Sequence, residues 1–123
     1  MKSKQILFAG ATFMTFGVLL GAFGAHALKS SLSPDMLAVY KTGVEYQYYH
    51  ALGLLFIGLI GFQIDSKWLR WSGILLIAGI ILFSGSLYVL SISGVKILGA
   101  ITPIGGLSFV AGWIFLAIAI CKR

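Results

Sequence analysis

The chain has 123 residues, of which 59% are hydrophobic and only 10% are charged, and its mean hydropathy is +1.02. This composition excludes an ordinary soluble domain and predicts an integral membrane protein. The net charge of +6 is spread singly or in pairs over the ends of apolar runs, which indicates topology signals rather than a nucleic-acid partner. A single cysteine, Cys121, excludes an intramolecular disulfide and a cysteine zinc site.

The N-terminal apolar run extends from Ile6 to Ala25, where Ala25, His26 and Ala27 imitate a signal-peptide cleavage site. This run exceeds the roughly 7–15 residues of a signal-peptide core. We therefore expect a retained first span over about 5–28.

Later spans are predicted at about 70–91 and 98–121, because a helix crosses the hydrocarbon core in about 20 residues. The second span is the difficult one, since the uncharged stretch 51–64 rises only about 21 Å as a helix. A second span over about 46–64 must therefore include polar residues of YQYYH. Alternatively, these tyrosines form an aromatic belt at headgroup level above a short span.

A short amphipathic helix is predicted over about 34–43, lying on the outer surface before the second span. Ser33 can cap it, with Pro34 at its first position and Asp35 in its first turn. Gly43 is interpreted as the bend that follows, and Lys41 and Glu45 have the spacing of an i,i+4 ion pair. The predicted fold is thus one all-α integral membrane domain over 1–123: a four-transmembrane-helix bundle with one interfacial helix.

Basic residues set the expected orientation. Six of them fall on one side of the predicted membrane and three on the other. This bias places both termini in the cytoplasm and predicts a multi-pass protein of a plasma membrane. The three on the outer side are Lys29, Lys41 and Lys96, and the six are Lys2, Lys4, Lys67, Arg70, Lys122 and Arg123.

Polar side chains of all four predicted spans converge in the outer half of the membrane. Intramembrane ionisable groups are costly and usually mark function. The candidate ligand-binding residues are therefore His26, Glu45, Tyr49, His50, Tyr88 and Thr102. Helical spacing argues against a Glu45 to His50 pair within one helix and favours a contact between helices, such as Glu45 with His26.

Small residues predict where helices approach each other closely. Gly17, Gly21 and Gly24 form a stripe on the first span, and Gly105 and Gly112 a smaller one on the fourth. Pro103 predicts a kinked start of the fourth span, whether or not a cavity accompanies it. The pattern does not decide between packing within one chain and self-association.

Four segments carry a resemblance: GAFGAHAL at 21–28, YQYYHALGLL at 46–55, LFSGSLYVL at 82–90 and GAITPIGGLSFVAGW at 99–113. In these, and in their order along the chain, the sequence resembles the YwdK/YgdD family of small bacterial membrane proteins, which has distant eukaryotic relatives and no established biochemical function. The resemblance implies a four-span protein of the bacterial inner membrane. It implies no catalytic or ligand-binding residues.

Two functions are compatible with these patterns. The first is binding or passage of a small polar or amphiphilic ligand, an ion or a lipid at the outer polar cluster. The second is a scaffold or accessory subunit that contacts the lipid bilayer, further copies of the chain or another membrane protein. An enzyme is the least favoured class, because no metal-ligand or nucleophile motif occurs, and no metal or cofactor is expected.

Overall fold

The computed structural model describes residues 1–122, which form four helices and, over that range, no strand. The helices are α1 (Ser3–Leu28), α2 (Pro34–Ile60), α3 (Lys67–Ser93) and α4 (Lys96–Cys121). Three of them, α1, α3 and α4, are long and apolar enough to cross a membrane. The all-α class is therefore confirmed, and three helices suit membrane spans by length and composition, whereas α2 has the required length but a polar first half.

The second helix differs from the prediction, which divided this region into a separate interfacial helix over 34–43 and a second span over 46–64. Its start is as predicted, because the Ser33 hydroxyl accepts a hydrogen bond from the Met36 amide at 3.2 Å. However, α2 then continues without a break to Ile60. Gly43 does not bend the helix: a Cβ atom there would lie 2.9 Å from the Tyr88 ring, so this glycine makes room for an aromatic side chain of α3.

Three of the helices contain local irregularities. A π-helical turn, Gly24–Leu28, ends α1, and a second, Ile80–Ser84, interrupts α3. The fourth helix opens as a 3₁₀ turn, Lys96–Ala100, before its α-helical part, Thr102–Cys121. Pro103 therefore lies in the first turn of an α-helix, where its missing N–H would have had no partner.

Helices α1 and α2 pack antiparallel along their whole length. A Cβ atom at Gly10 would lie 3.1 Å from Leu54, and one at Gly17 would lie 2.9 Å from the Tyr48 ring. Towards the other end of the seam, the Gly24 position faces the ring of Tyr40. The glycines of α1 thus make room for the bulky side chains of α2.

The second close seam joins α3 and α4. A Cβ atom at Gly112 would lie 2.7 Å from Leu76, and the Gly105 position abuts the backbone of Phe83. The Ser108 hydroxyl also donates to the Leu75 carbonyl at 2.6 Å. Small residues of α4 therefore bring two backbones together and allow one side chain to bond across the seam.

Apolar side chains fill the end of the bundle that carries both termini. They come from all four helices and are nearly inaccessible. The cluster comprises Ile6, Leu54, Ile57, Leu69, Leu76, Ile80, Phe109 and Ala119. Ser72 is the buried polar residue beside this cluster, and its hydroxyl donates to the Leu69 carbonyl of its own helix at 2.6 Å. The polar side chains that bond between helices, such as Gln47 and Ser84, lie further towards the opposite end.

Candidate functional site

Gln47 is the centre of a hydrogen-bonded network inside the bundle and is only 3% exposed. Its side-chain nitrogen donates to the Phe13 carbonyl of α1 at 2.7 Å, and its side-chain oxygen accepts from the Tyr88 hydroxyl of α3 at 2.6 Å. A carbonyl oxygen can only accept, which fixes the orientation of the amide. One side chain thus links three helices.

Further hydroxyl groups connect neighbouring helices. The buried Ser84 donates to the Gly43 carbonyl at 2.7 Å, which ties α3 to α2. The Ser86 and Thr102 hydroxyls are 2.6 Å apart, which ties α3 to α4. The Tyr40 hydroxyl donates to the Leu20 carbonyl of α1. In residues 1–122 no buried side-chain nitrogen or oxygen lacks a partner.

His50 is buried against α4 rather than facing a cavity. Its Nδ1 atom lies 2.7 Å from the Tyr46 carbonyl, so Nδ1 carries the proton and Nε2 is left as an acceptor. The imidazole stacks on Phe109 with ring centroids 3.5 Å apart and an angle of 9° between the planes. Trp113 borders the same ring at 5.7 Å. This arrangement is that of a packed aromatic cluster.

The structure divides the six predicted ligand-binding residues between interior and surface. His50 is buried, and Tyr88 and Thr102 are half-buried within the contacts described above. The other three, His26, Glu45 and Tyr49, are exposed, and Tyr49 is 55% accessible. Among the described residues, Glu45 forms no ion pair with His26 or Lys41. In the structure the six side chains therefore do not share one buried cluster.

Sequence reasoning left Gln47 out of the candidates, although it is the most connected polar side chain of α2. The signal was available in its spacing. Gly43, Gln47, His50 and Leu54 recur at helical intervals and share the face that the structure buries. An uncharged amide attracts less attention than Glu45 or His50, but its two hydrogen-bonding groups suit a bridge between helices.

A groove of about 270 Å³ lies between α1 and α2, at the end of the bundle away from the termini. Its floor exists because α1 has glycines there: a Cβ atom at Gly21 would lie 2.5 Å from the Tyr48 hydroxyl. Apolar and aromatic groups therefore alternate with two charged side chains along the groove. The lining residues are Gly21, Gly24, Ala25, Tyr40, Lys41, Val44, Glu45 and Tyr48.

The described residues contain no cluster of metal-binding side chains. Over residues 1–122, no three His, Cys, Asp or Glu side chains lie close enough together to hold an ion. Cys121, the one cysteine, is exposed at the end of α4.

Comparison with known proteins supplies the family. The family described as "Protein of unknown function (DUF423)" matches residues 20–106. Full-length relatives include UPF0382 membrane protein SH2409 of Staphylococcus haemolyticus, 48% identical over 99% of this chain and 98% of the relative. YwdK of Bacillus subtilis is 43% identical over 97% and 98%, and the inner membrane protein YgdD of Escherichia coli is 39% identical over 93% and 86%.

No solved structure matches the chain. The relatives named above nevertheless match 93–99% of the chain, and all of them are described as membrane proteins. The resemblance seen in four sequence segments is thereby confirmed. The chain belongs to the UPF0382 (DUF423) family of membrane proteins of unknown function, together with YwdK and YgdD.

Proposed function

We propose that all four helices span the membrane, with both termini in the cytoplasm and α2 as the fourth span. The 27 residues of α2 reach about 40 Å at helical rise, enough to cross the hydrocarbon core. Its antiparallel contacts with α1 run from Tyr40 opposite Gly24 to Gly58 opposite Leu7. Its central Gln47 is hydrogen-bonded inside the bundle, which offsets the cost of a polar residue at that depth.

On this topology, the groove between α1 and α2 opens in the outer half of the membrane and binds a small amphiphile. The observation that supports this function is the lining of the groove. Glu45 can accept a hydrogen bond from an ammonium group, and Lys41 can donate one to a phosphate. Ala25 and Val44 provide apolar contacts for the adjoining part of a lipid. A phospholipid with an ammonium headgroup, such as phosphatidylethanolamine, has this combination of groups.

Binding is favoured over passage by the packing of the rest of the bundle. The end that carries the termini is filled by the apolar cluster described above, which includes Leu54, Ile57 and Leu76, each fully buried. A polar ligand that left the groove towards this end would meet an almost wholly apolar interior, in which the Ser72 hydroxyl already donates to the Leu69 carbonyl at 2.6 Å. The groove therefore suits a ligand that enters and leaves sideways, from the lipid.

A scaffold or accessory subunit is the second candidate. It is favoured by the interior, where every fully buried side-chain nitrogen or oxygen atom within residues 1–122 has a hydrogen-bond partner in the protein. Under this alternative, the exposed aromatic and aliphatic side chains contact a partner protein or a second copy, and the groove is a packing feature.

Native mass spectrometry of protein released from phosphatidylethanolamine-containing membranes tests the first function. Glu45→Gln is expected to reduce the retained lipid by about 10-fold or more, because a charge-assisted hydrogen bond contributes about 1.5–3 kcal/mol. Asp35→Asn removes the same charge from an exposed position on the same side, outside the groove, and should leave the retained lipid unchanged.

His50→Ala is a second control. His50 faces α4, on the opposite side of α2 from the groove, so its loss should not affect lipid retention. Wild-type protein that carries no lipid, or equal retention by wild type and Glu45→Gln, would contradict amphiphile binding. A second protein that stays bound in every variant would favour the scaffold.

A further inference from the structure

A second cavity lies at the opposite end of the bundle and is independent of the groove. It has a volume of about 270 Å³ and is bordered by α1, α2, α3 and the turn between α2 and α3. Its floor is apolar, with Ile6 and Leu69 almost completely buried. Its mouth carries Lys2, Ser66 and Arg70.

The charges around this cavity are unevenly balanced. Asp65 is the one acid at the mouth, and it is paired with Arg70 at 2.8 Å while its side chain is 96% exposed. Within the described residues, Lys2 has no ion-pair partner. Two further lysines of this end, Lys67 and Lys122, lie outside the cavity, with their ammonium groups 5.6 and 5.7 Å from the centre of the Trp68 ring.

Helix dipoles of both signs meet at the mouth. Helices α1 and α3 begin at this end, whereas α2 ends at Gly61 in the cavity lining, so the negative end of its dipole offsets part of the positive ends of the other two. The Ser66 hydroxyl is already occupied in capping α3, since it accepts from the Trp68 amide at 3.2 Å. Recognition of an anion at the mouth therefore falls to Lys2 and Arg70.

We propose that this cavity binds the headgroup of an anionic phospholipid of the cytoplasmic leaflet. A cationic mouth above an apolar floor matches a phosphate joined to acyl chains, and basic pockets between spanning helices on the cytoplasmic side bind such headgroups. A free phosphate would use the cations but not Ile6 and Leu69. The charge of the mouth selects phosphatidylglycerol over phosphatidylcholine.

The test uses the full chain in phosphatidylcholine membranes that contain phosphatidylglycerol, with retained lipid measured by native mass spectrometry. The wild type is expected to retain phosphatidylglycerol over phosphatidylcholine. In the double variant Lys2→Gln, Arg70→Gln, phosphatidylglycerol retention should fall about 25-fold, since each basic residue near an anionic surface contributes about fivefold. Both residues are exposed, so the unfolding temperature should stay unchanged.

The matched control is Lys4→Gln, Lys122→Gln, which removes two charges from the same end but outside the cavity. It should retain phosphatidylglycerol within about twofold of wild type if binding depends on contact at the mouth and not on the diffuse field. An equal loss in both double variants would overturn the site in favour of a diffuse basic surface. So would equal retention of the two lipids by the wild type.

Two further measurements distinguish lipid binding in this cavity from binding of free phosphate and from lipid binding in the groove. Lipid-free protein in inorganic phosphate is expected to retain no phosphate, and retention of phosphate alone would overturn the assignment to a lipid. Glu45→Gln should leave phosphatidylglycerol retention unchanged, because Glu45 lies at the other end of the bundle. A result that contradicts lipid binding in the groove can thus be distinguished from one that contradicts lipid binding in this cavity.

Discussion

Replacement of Gln47 by leucine is expected to lower the free energy of unfolding by about 2–4 kcal/mol. Hydrogen bonds between membrane helices contribute about 0.6 kcal/mol on average and up to about 1.7, and Gln47 makes two of them. The substitution also leaves the Tyr88 hydroxyl without its acceptor, and an orphaned buried polar group costs about 1–3 kcal/mol. Phe13 is affected less, because its carbonyl lies within α1 and has helical partners of its own.

A double-mutant cycle with Tyr88→Phe isolates the Gln47 to Tyr88 contact. Each single substitution should destabilise the protein, whereas the double variant should be more stable than the sum of the two predicts, by about 1–2 kcal/mol. Reversible unfolding in mixed micelles provides the free energies. Tyr49→Phe, at an exposed position on the same helix, should change stability by no more than about 0.5 kcal/mol. Strict additivity of the two substitutions would mean that the network does not hold the helices together.

The second large effect is expected at Gly105. A methyl group there meets the backbone of Phe83, with its Cα atom 2.8 Å away, and a helix backbone cannot move aside as a flexible side chain can. Gly105→Ala should therefore separate α3 from α4 and cost about 1–3 kcal/mol, although alanine favours a helix by about 1 kcal/mol.

The adjacent glycine provides the matched control. At Gly106, a Cβ atom would lie no closer than 3.8 Å to the Phe83 ring, which is ordinary van der Waals contact. Gly106→Ala should accordingly leave stability unchanged or raise it by up to about 1 kcal/mol. Thermal unfolding of the two variants in the same micelles measures the difference. If both alanines had the same effect, the close approach of α3 and α4 at Phe83 would be refuted.

Features that depend on local sequence were predictable. The apolar runs predicted helices of membrane-spanning length, and the Ser33 and Pro34 pair predicted where α2 begins. Gly94 ends α3 with a backbone φ of 74°, a left-handed conformation that favours glycine. These signals act within a few residues, so one sequence is enough to read them.

The continuity of α2 could not be predicted in the same way. A glycine within a polar helix is compatible with a bend in that helix or with the close approach of a residue from another helix. Which of the two occurs depends on the residue that packs against the glycine. At Gly43 the neighbour is Tyr88, which is 45 residues further along the chain. Residues 34–43 were also predicted to lie on the outer surface as an amphipathic helix, whereas Tyr40 is 1% exposed because it packs against Gly24 of α1.

The distribution of the candidate binding residues around the helices could not be predicted for a related reason. Depth in the membrane follows from position along a helix, so His26, Glu45 and Thr102 were correctly grouped towards one end of the bundle. Which side of each helix faces inward depends on the pairing of helices. Glu45 shares its face with Val44 and Lys41 along the α1 groove, whereas His50 points to α4.

Both proposed binding sites depend on α2 being a membrane span, and cysteine labelling tests this most directly. The exposed positions Ser30 and Gln63 flank α2 and can be changed to cysteine one at a time in a Cys121→Ser background, with native Cys121 as the third position. A membrane-impermeant maleimide applied to intact cells and to inverted vesicles reports the side of each. We expect Ser30→Cys to react from outside, and Gln63→Cys and Cys121 from the cytoplasmic side. Reaction of Ser30→Cys and Gln63→Cys from the same side would contradict a four-span bundle.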